Sequence, residues 1–219
     1  MGSSLDTLLT REVPAGDTAR ARALAAARAE LARMPQARNW RTEALRVVAA
    51  PVLLTLLVTG VLLALDRTSV SVLLDRAPLL LLLWTTSAVC AWGALAPRGR
   101  GLQQGALGMA LVGATALVFT RGPAHGVTTL PEWVCTASHV GVALLPGVVA
   151  LAALRSAAFQ PARALLAGVS VGTVGAFLGE LACSLGPTHV LHYHLPAWAF
   201  AAVATLVASR FLPPRSFAP

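Results

Sequence analysis

The chain has 219 residues, of which 56% are hydrophobic and only 12% are charged, and its mean hydropathy is +0.71. Soluble domains carry about 25% charged residues, so this composition excludes an ordinary soluble domain and predicts an integral membrane protein. The formal net charge is +8, and every basic residue is Arg. Because these arginines lie at the ends of apolar runs, we interpret them as topology signals that also meet lipid head groups, and we expect no direct binding of nucleic acid.

The first 43 residues form the only substantial polar segment, and we treat residues 1–43 as a unit of their own. A short leucine-bearing turn is predicted first, followed by a helix from about Asp17 that ends at Pro35. The apolar positions are Leu5, Leu8 and Leu9 in the turn, and Leu24, Leu31 and Met34 on one stripe of the helix. The stripe fits two roles equally well: an amphipathic helix on the bilayer surface, or a set of leucine anchors for a cytoplasmic partner.

Six apolar runs follow, each close to the ~20 residues that cross ~30 Å of hydrocarbon as a helix. They occupy roughly residues 45–65, 77–96, 103–120, 132–154, 163–185 and 194–212. The third run is the weakest, because Gln103 and Gln104 lie at its start. The chain is therefore predicted to be an all-α membrane protein, with a six-helix transmembrane domain at 44–212 and a short tail at 213–219.

The distribution of arginines predicts that both termini are cytoplasmic. An even number of spans places the termini on one side, and with that side in the cytoplasm the only outer arginines are Arg67, Arg76 and Arg121. This orientation gathers all five histidines and two of the three cysteines on the outer side. The third cysteine, Cys90, falls in the inner half of the second span and is expected to be a small apolar filler.

Two stretches on the outer side contain the residues that could bind a metal or undergo redox chemistry. The first opens the fourth span, where Glu132, Cys135 and His139 are spaced i, i+3 and i+7 on one helical face. The second follows the fifth span and contains Glu180, Cys183, His189, His192 and His194. Glu180 is the one carboxylate well inside the hydrocarbon region, so it needs a partner there.

A stripe of glycines on the fifth span favours close packing of a neighbouring helix. The stripe consists of Gly168, Gly172, Gly175 and Gly179, and Cys183 continues it by one turn. The fourth span is joined to the fifth by a short loop and is the expected neighbour. We therefore expect Cys135 and Cys183 to face each other at one depth.

Three interpretations of this outer cluster remain open. The histidines can be interfacial residues and the cysteines small buried residues. Cys135 and Cys183 can form a disulfide or a redox-active thiol pair. Alternatively, the cluster binds zinc or another transition metal. The metal ligands would be Cys135, His139 and Cys183 with one of His189, His192 and His194.

No catalytic motif is present, and we predict that the protein is not an enzyme. Ser138 lies beside His139, but adjacent residues on a helix point about 100° apart and do not form a nucleophile–base pair. The sequence contains no phosphate-binding loop, no dinucleotide fingerprint and no H-E-x-x-H motif.

A longer pattern covers roughly residues 130–212. It runs from Cys135 to Arg155 (C-x10-P, then L-x-A-L-R), continues in Gly168-Val-Ser-Val-Gly-Thr-Val-Gly175, and ends with Cys183 and Trp198. This pattern resembles the NrsF/CarR group, which are six-span anti-sigma factors of bacterial inner membranes. Within the group, the regulators of light-induced carotenoid genes are the most similar.

The resemblance implies a function. Residues 1–43 would hold an extracytoplasmic-function sigma factor at the inner membrane until a stress signal, such as light or singlet oxygen, arrives. The paired cysteines implicated in sensing correspond to Cys135 and Cys183. Two features depart from the group: the tail is longer, and Ala182 stands where members often have His.

Two hypotheses from other classes stand beside the anti-sigma hypothesis. The chain could be a small metal-binding or redox membrane carrier that uses the same outer cluster as its working site. It could also be a structural subunit of a membrane assembly.

Overall fold

The protein is all-α, as the sequence predicts. In a computed structural model, the described residues are 17–33, 39–97, 99–121, 131–155 and 159–212, and no strand occurs among them. Six of the helices are long and apolar enough to cross a membrane. The prediction of a six-helix membrane protein is therefore confirmed.

The first helix, α1 (Asp17–Arg33), belongs to a separate unit that covers residues 1–37. Leu24, one of the predicted anchors, is 50% exposed on this helix. The side chain of Leu31 lies outside the part of the chain that the structure describes, as do Leu5, Leu8, Leu9 and Met34.

The six membrane helices form the second unit. Their bounds are α2 (Trp40–Ala64), α3 (Val70–Leu95), α4 (Arg100–Phe119), α5 (Trp133–Leu154), α6 (Pro161–Ala182) and α7 (Pro187–Arg210). Helix α7 contains a π-helical turn, Val190–His194. Successive helices alternate in direction. One end of the bundle, which we call the cluster end, therefore carries the α2–α3, α4–α5 and α6–α7 connections.

The helix starts differ from the apolar runs because caps and prolines set them. Helix α3 begins at Val70 rather than near residue 77, since the Ser69 hydroxyl accepts a hydrogen bond from the Val72 N–H. The Asn39 side chain caps α2 in the same way. Pro161 and Pro187 open α6 and α7, where a missing N–H costs nothing.

Helix α6 is the centre of the bundle and is almost wholly buried. Its glycine stripe explains the close packing, but two helices share it. A Cβ on Gly168 would lie 2.5 Å from the Cα of Ala202, so the lower half of the stripe receives α7. The half nearer the cluster end receives side chains from both α5, the expected neighbour, and α7. The Trp198 indole N–H then donates to the Val169 carbonyl at 2.8 Å and locks α7 onto α6.

Candidate functional site

Four side chains with soft or nitrogen donors meet at the cluster end. The ligand-type atoms of Cys135, Cys183, His189 and His194 all lie within 4.8 Å of one another. Both thiols are free and half-buried, whereas the two histidines are only 6% and 2% exposed. The structure thus brings together the cysteines of both sequence stretches and two of the candidate histidines.

The local folding of each segment positions these groups. Cys135 lies in the first turn of α5, and Cys183 follows the last residue of α6, where the chain becomes extended. His189 and His194 flank the π-helical turn of α7, in which the Leu195 N–H reaches back five residues to the Val190 carbonyl. This five-residue step brings the imidazoles to one side, with ring centroids 5.1 Å apart. This turn precedes the apolar run that starts near residue 194, and the sequence pattern did not predict it.

His139 belongs to the same end of the bundle but not to the group of four. Its ring packs edge-on against His194, with centroids 4.4 Å apart. Two glycines of α6 make room for this pair. A Cβ on Gly175 would lie 2.7 Å from the His139 ring, and one on Gly179 would lie 2.6 Å from His194 Nδ1. A larger residue at either position would displace these rings, which explains the glycines in the half of the stripe nearer the cluster end.

Two further residues of the two stretches differ in their position relative to the cluster. His192 is exposed, and its Nδ1 lies 2.7 Å from the Thr188 carbonyl, away from the four ligand-type atoms. Glu132 of the first stretch places its Oε2 3.7 Å from His189 Nδ1. Its carboxylate therefore neighbours the cluster.

Several imidazole nitrogens at the site are buried and unpaired. Both ring nitrogens of His139, both of His189 and Nε2 of His194 find no hydrogen-bond partner among the described residues. Burying a polar group without a partner costs about 1–3 kcal/mol, so a cluster of such atoms calls for a physical explanation.

A buried ion pair lies beside Cys183 and supports the cluster. Arg121 and Glu180 have side chains that are only 4% and 0% exposed, and Arg121 Nη1 lies 2.6 Å from Glu180 Oε1. The same guanidinium donates to the carbonyls of Cys183 and Leu185, beyond the end of α6. A cation is favourable at this position because the carbonyls at a helix C-terminus carry partial negative charge.

Arg76 completes the environment of Glu180. Its Nη1 lies 3.8 Å from Glu180 Oε2 and donates to the Thr120 carbonyl at 3.0 Å. The sequence indicated that Glu180 needs a partner but did not identify one. The available signal was that Arg76 and Arg121 are predicted on the same side of the membrane.

A cavity of about 400 Å³ opens beside the cluster. Cys135, His139, Cys183 and His194 contribute to its wall, and Val58 and Leu62 of α2 close the apolar side. The cluster can therefore receive a small ligand or ion without a rearrangement of the helices.

These features define a class: a multi-pass membrane protein of six helices with a Cys/His cluster at one end. No protein-family model and no solved structure matches the chain. A protein of Myxococcus xanthus named Carotenogenesis protein CarR is 51% identical over 215 residues, which cover 98% of this chain and 97% of that protein. The chain belongs to the CarR family, and the resemblance seen in the sequence is confirmed.

Proposed function

We propose that the chain is a membrane-bound anti-sigma factor. Residues 1–43 sequester an extracytoplasmic-function sigma factor at the bacterial inner membrane, and a stress signal acting on the Cys/His cluster releases it. The observation that carries this proposal is the near full-length similarity to Carotenogenesis protein CarR, at 51% identity. The role is regulation by binding rather than catalysis.

The architecture supports a division between input and output. Helix α2 begins at Trp40, at the end of the bundle opposite to the cluster, so the preceding segment joins the membrane domain on that opposite side. Two of the three arginines at the cluster end, Arg76 and Arg121, are engaged by Glu180. Only Arg67 remains there as an exposed arginine, which strengthens the argument that the cluster end is outside and both termini are cytoplasmic.

The proposed partner surface combines leucines with arginines. The anchors are Leu5, Leu8, Leu9, Leu24, Leu31 and Met34. Burying one leucine on a partner contributes about 1.5–3 kcal/mol, while the surrounding arginines would favour an acidic surface and speed association.

The name of the relative suggests the signal. Carotenoids protect cells against light-generated singlet oxygen. A regulator of their synthesis would therefore respond to light or to singlet oxygen. Cys135 and Cys183 are the proposed sensing residues, because thiols are the most oxidisable groups of the cluster.

Retention of a sigma factor by the purified full-length protein tests the proposal. We expect an extracytoplasmic-function sigma factor to co-purify, and the Leu24→Ala/Leu31→Ala variant to bind it at least about tenfold more weakly. The control is Ala25→Ser on the same helix, which should bind normally. Failure of the wild-type protein to retain any sigma factor, or equal binding by the leucine variant, would contradict the proposal.

A metal or redox carrier remains the alternative function, because it would use the same cluster and cavity. A carrier needs polar groups along the whole membrane path. Between α3 and α6, the buried hydroxyls of Ser87 and Ser170 already bond to each other at 3.0 Å. Ion uptake into proteoliposomes separates the two functions: the carrier predicts flux that depends on Cys135, whereas the anti-sigma factor predicts none.

A further inference from the structure

We propose that Cys135, Cys183, His189 and His194 bind one zinc ion, or another soft divalent ion with the same preference for sulfur and nitrogen. The site goes beyond the proposed function, because it would bind the ion whether or not residues 1–43 bind a sigma factor.

The first argument is the spacing of the donors. In a tetrahedral zinc site with Zn–S near 2.3 Å and Zn–N near 2.0 Å, neighbouring donors are roughly 3.3–3.8 Å apart. The four ligand-type atoms here already lie within 4.8 Å of one another. Small side-chain rotations therefore suffice to close the site around an ion.

The second argument is the state of the imidazoles. His189 and His194 are buried and present nitrogens without a partner among the described residues. A disulfide between the cysteines would leave these nitrogens unexplained, whereas a metal ion would coordinate one from each ring. The metal interpretation thus accounts for all four residues at once.

The third argument concerns the surroundings of the ligands. Metal-binding histidines commonly direct their second ring nitrogen at a carboxylate, which fixes the ring and makes it a better ligand. Glu132 Oε2 lies 3.7 Å from His189 Nδ1 and can take this role. His139 packs against the ring of His194 and holds it in place.

The charge balance also suits this location. On binding, the two thiols release two protons, and the resulting thiolates neutralise the divalent cation while both histidines stay neutral. The complex carries no net charge, which lowers the cost of placing it in a medium of low dielectric constant. The nearby charges balance as well, because the positive charges of Arg76 and Arg121 are matched by the negative charges of Glu180 and Glu132.

The ligands come from three parts of the chain, so the ion would have a structural effect. Cys135 belongs to α5, Cys183 to the α6–α7 connection, and the two histidines to α7. Binding would join α5, α6 and α7 at the cluster end. Loss of either thiolate ligand would release this link.

Metal content and Co²⁺ spectroscopy of the purified full-length protein in detergent test the inference. We expect about one zinc per chain, and, after replacement by Co²⁺, the intense visible bands of tetrahedral coordination with a thiolate charge-transfer band. Cys135→Ser and His194→Gln should each abolish stoichiometric zinc and the thiolate-linked Co²⁺ spectrum. The matched controls are His192→Gln in the same turn and Cys90→Ala elsewhere in the bundle, which should keep both.

A milder variant keeps the test informative if the ligand variants misfold. The Glu132 side chain is half-exposed, so Glu132→Gln should fold normally and weaken zinc binding about 10–100-fold, as expected for a residue that orients a ligand. Absence of zinc and of a Co²⁺ spectrum in reduced wild-type protein would overturn the inference. A Cys135–Cys183 disulfide in the protein as purified would also overturn it. Either result leaves sigma-factor retention unchanged, so the two proposals fail separately.

Discussion

The buried ion pair beside the cluster leads to a strong prediction: replacing Arg121 by Met will destabilise the protein severely. Arg121 and Glu180 lie 2.6 Å apart with side chains that are 4% and 0% exposed. Removing the cation leaves a carboxylate inside the bundle with Arg76 at 3.8 Å as its nearest remaining charge partner among the described residues. The carbonyls of Cys183 and Leu185 lose their donor at the same time.

The magnitude follows from the burial. Breaking a buried ion pair by removing one partner costs about 3–5 kcal/mol, mainly because the other charge stays desolvated. Removing both charges avoids that cost. We therefore expect Arg121→Met and Glu180→Leu each to lose about 3–5 kcal/mol, and the double variant to lose far less than their sum.

Unfolding of the purified protein by sodium dodecyl sulfate in mixed micelles, followed by circular dichroism, measures these free energies. Arg67→Met is the control, because Arg67 is an exposed arginine at the same end and its loss should change stability by less than ~0.5 kcal/mol. A loss below ~1 kcal/mol for Arg121→Met, or additive losses in the double variant, would refute the reasoning.

The same assay tests three further expectations. Gly179→Ala should cost about 1–3 kcal/mol because its Cβ would lie 2.6 Å from His194 Nδ1, whereas Gly141→Ala, with nothing within 4 Å, should cost nothing; equal effects would contradict this account of the glycines. Trp198→Phe should lose about 0.5–1.5 kcal/mol for its hydrogen bond, plus a packing loss; an unchanged stability would count against the lock between α6 and α7. Ser87→Ala and Ser170→Ala should each cost roughly 0.6 kcal/mol, and the double variant little more; full additivity would show that their mutual bond contributes nothing.

The fold could be predicted because membranes restrict the possible structures. Only a helix satisfies its own backbone in hydrocarbon, so six apolar runs of suitable length already imply six helices. The helix ends were less predictable. Ser69 starts α3 ahead of its apolar run, and Asp75 and Arg76 consequently lie inside the helix.

The site could be predicted only in part. Depth and chain adjacency were sufficient to predict that Cys135 lies near Cys183, because both lie at the same end of adjacent helices. Which histidines join the cluster was not predictable. This depends on a π-helical turn, and no periodicity in the sequence indicates that turn. The role of Arg121 was not predictable for a different reason. An arginine between two apolar runs is interpreted as a topology signal, and only the tertiary structure shows that Arg121 is buried against Glu180.

Helix α6 gives the proposed signalling a physical route between the two ends of the bundle. It is buried along almost its whole length, so a displacement beside Cys183 would act on tightly packed neighbours. At its other end, Arg163 donates to the carbonyls of Ala96 and Pro97, just after α3. Trp92, near the end of α3, packs edge-on against Trp40 with ring centroids 5.4 Å apart, and Trp40 is the first residue of α2. These contacts form a continuous packed connection from the cluster end, through α6 and the end of α3, to Trp40 at the start of α2.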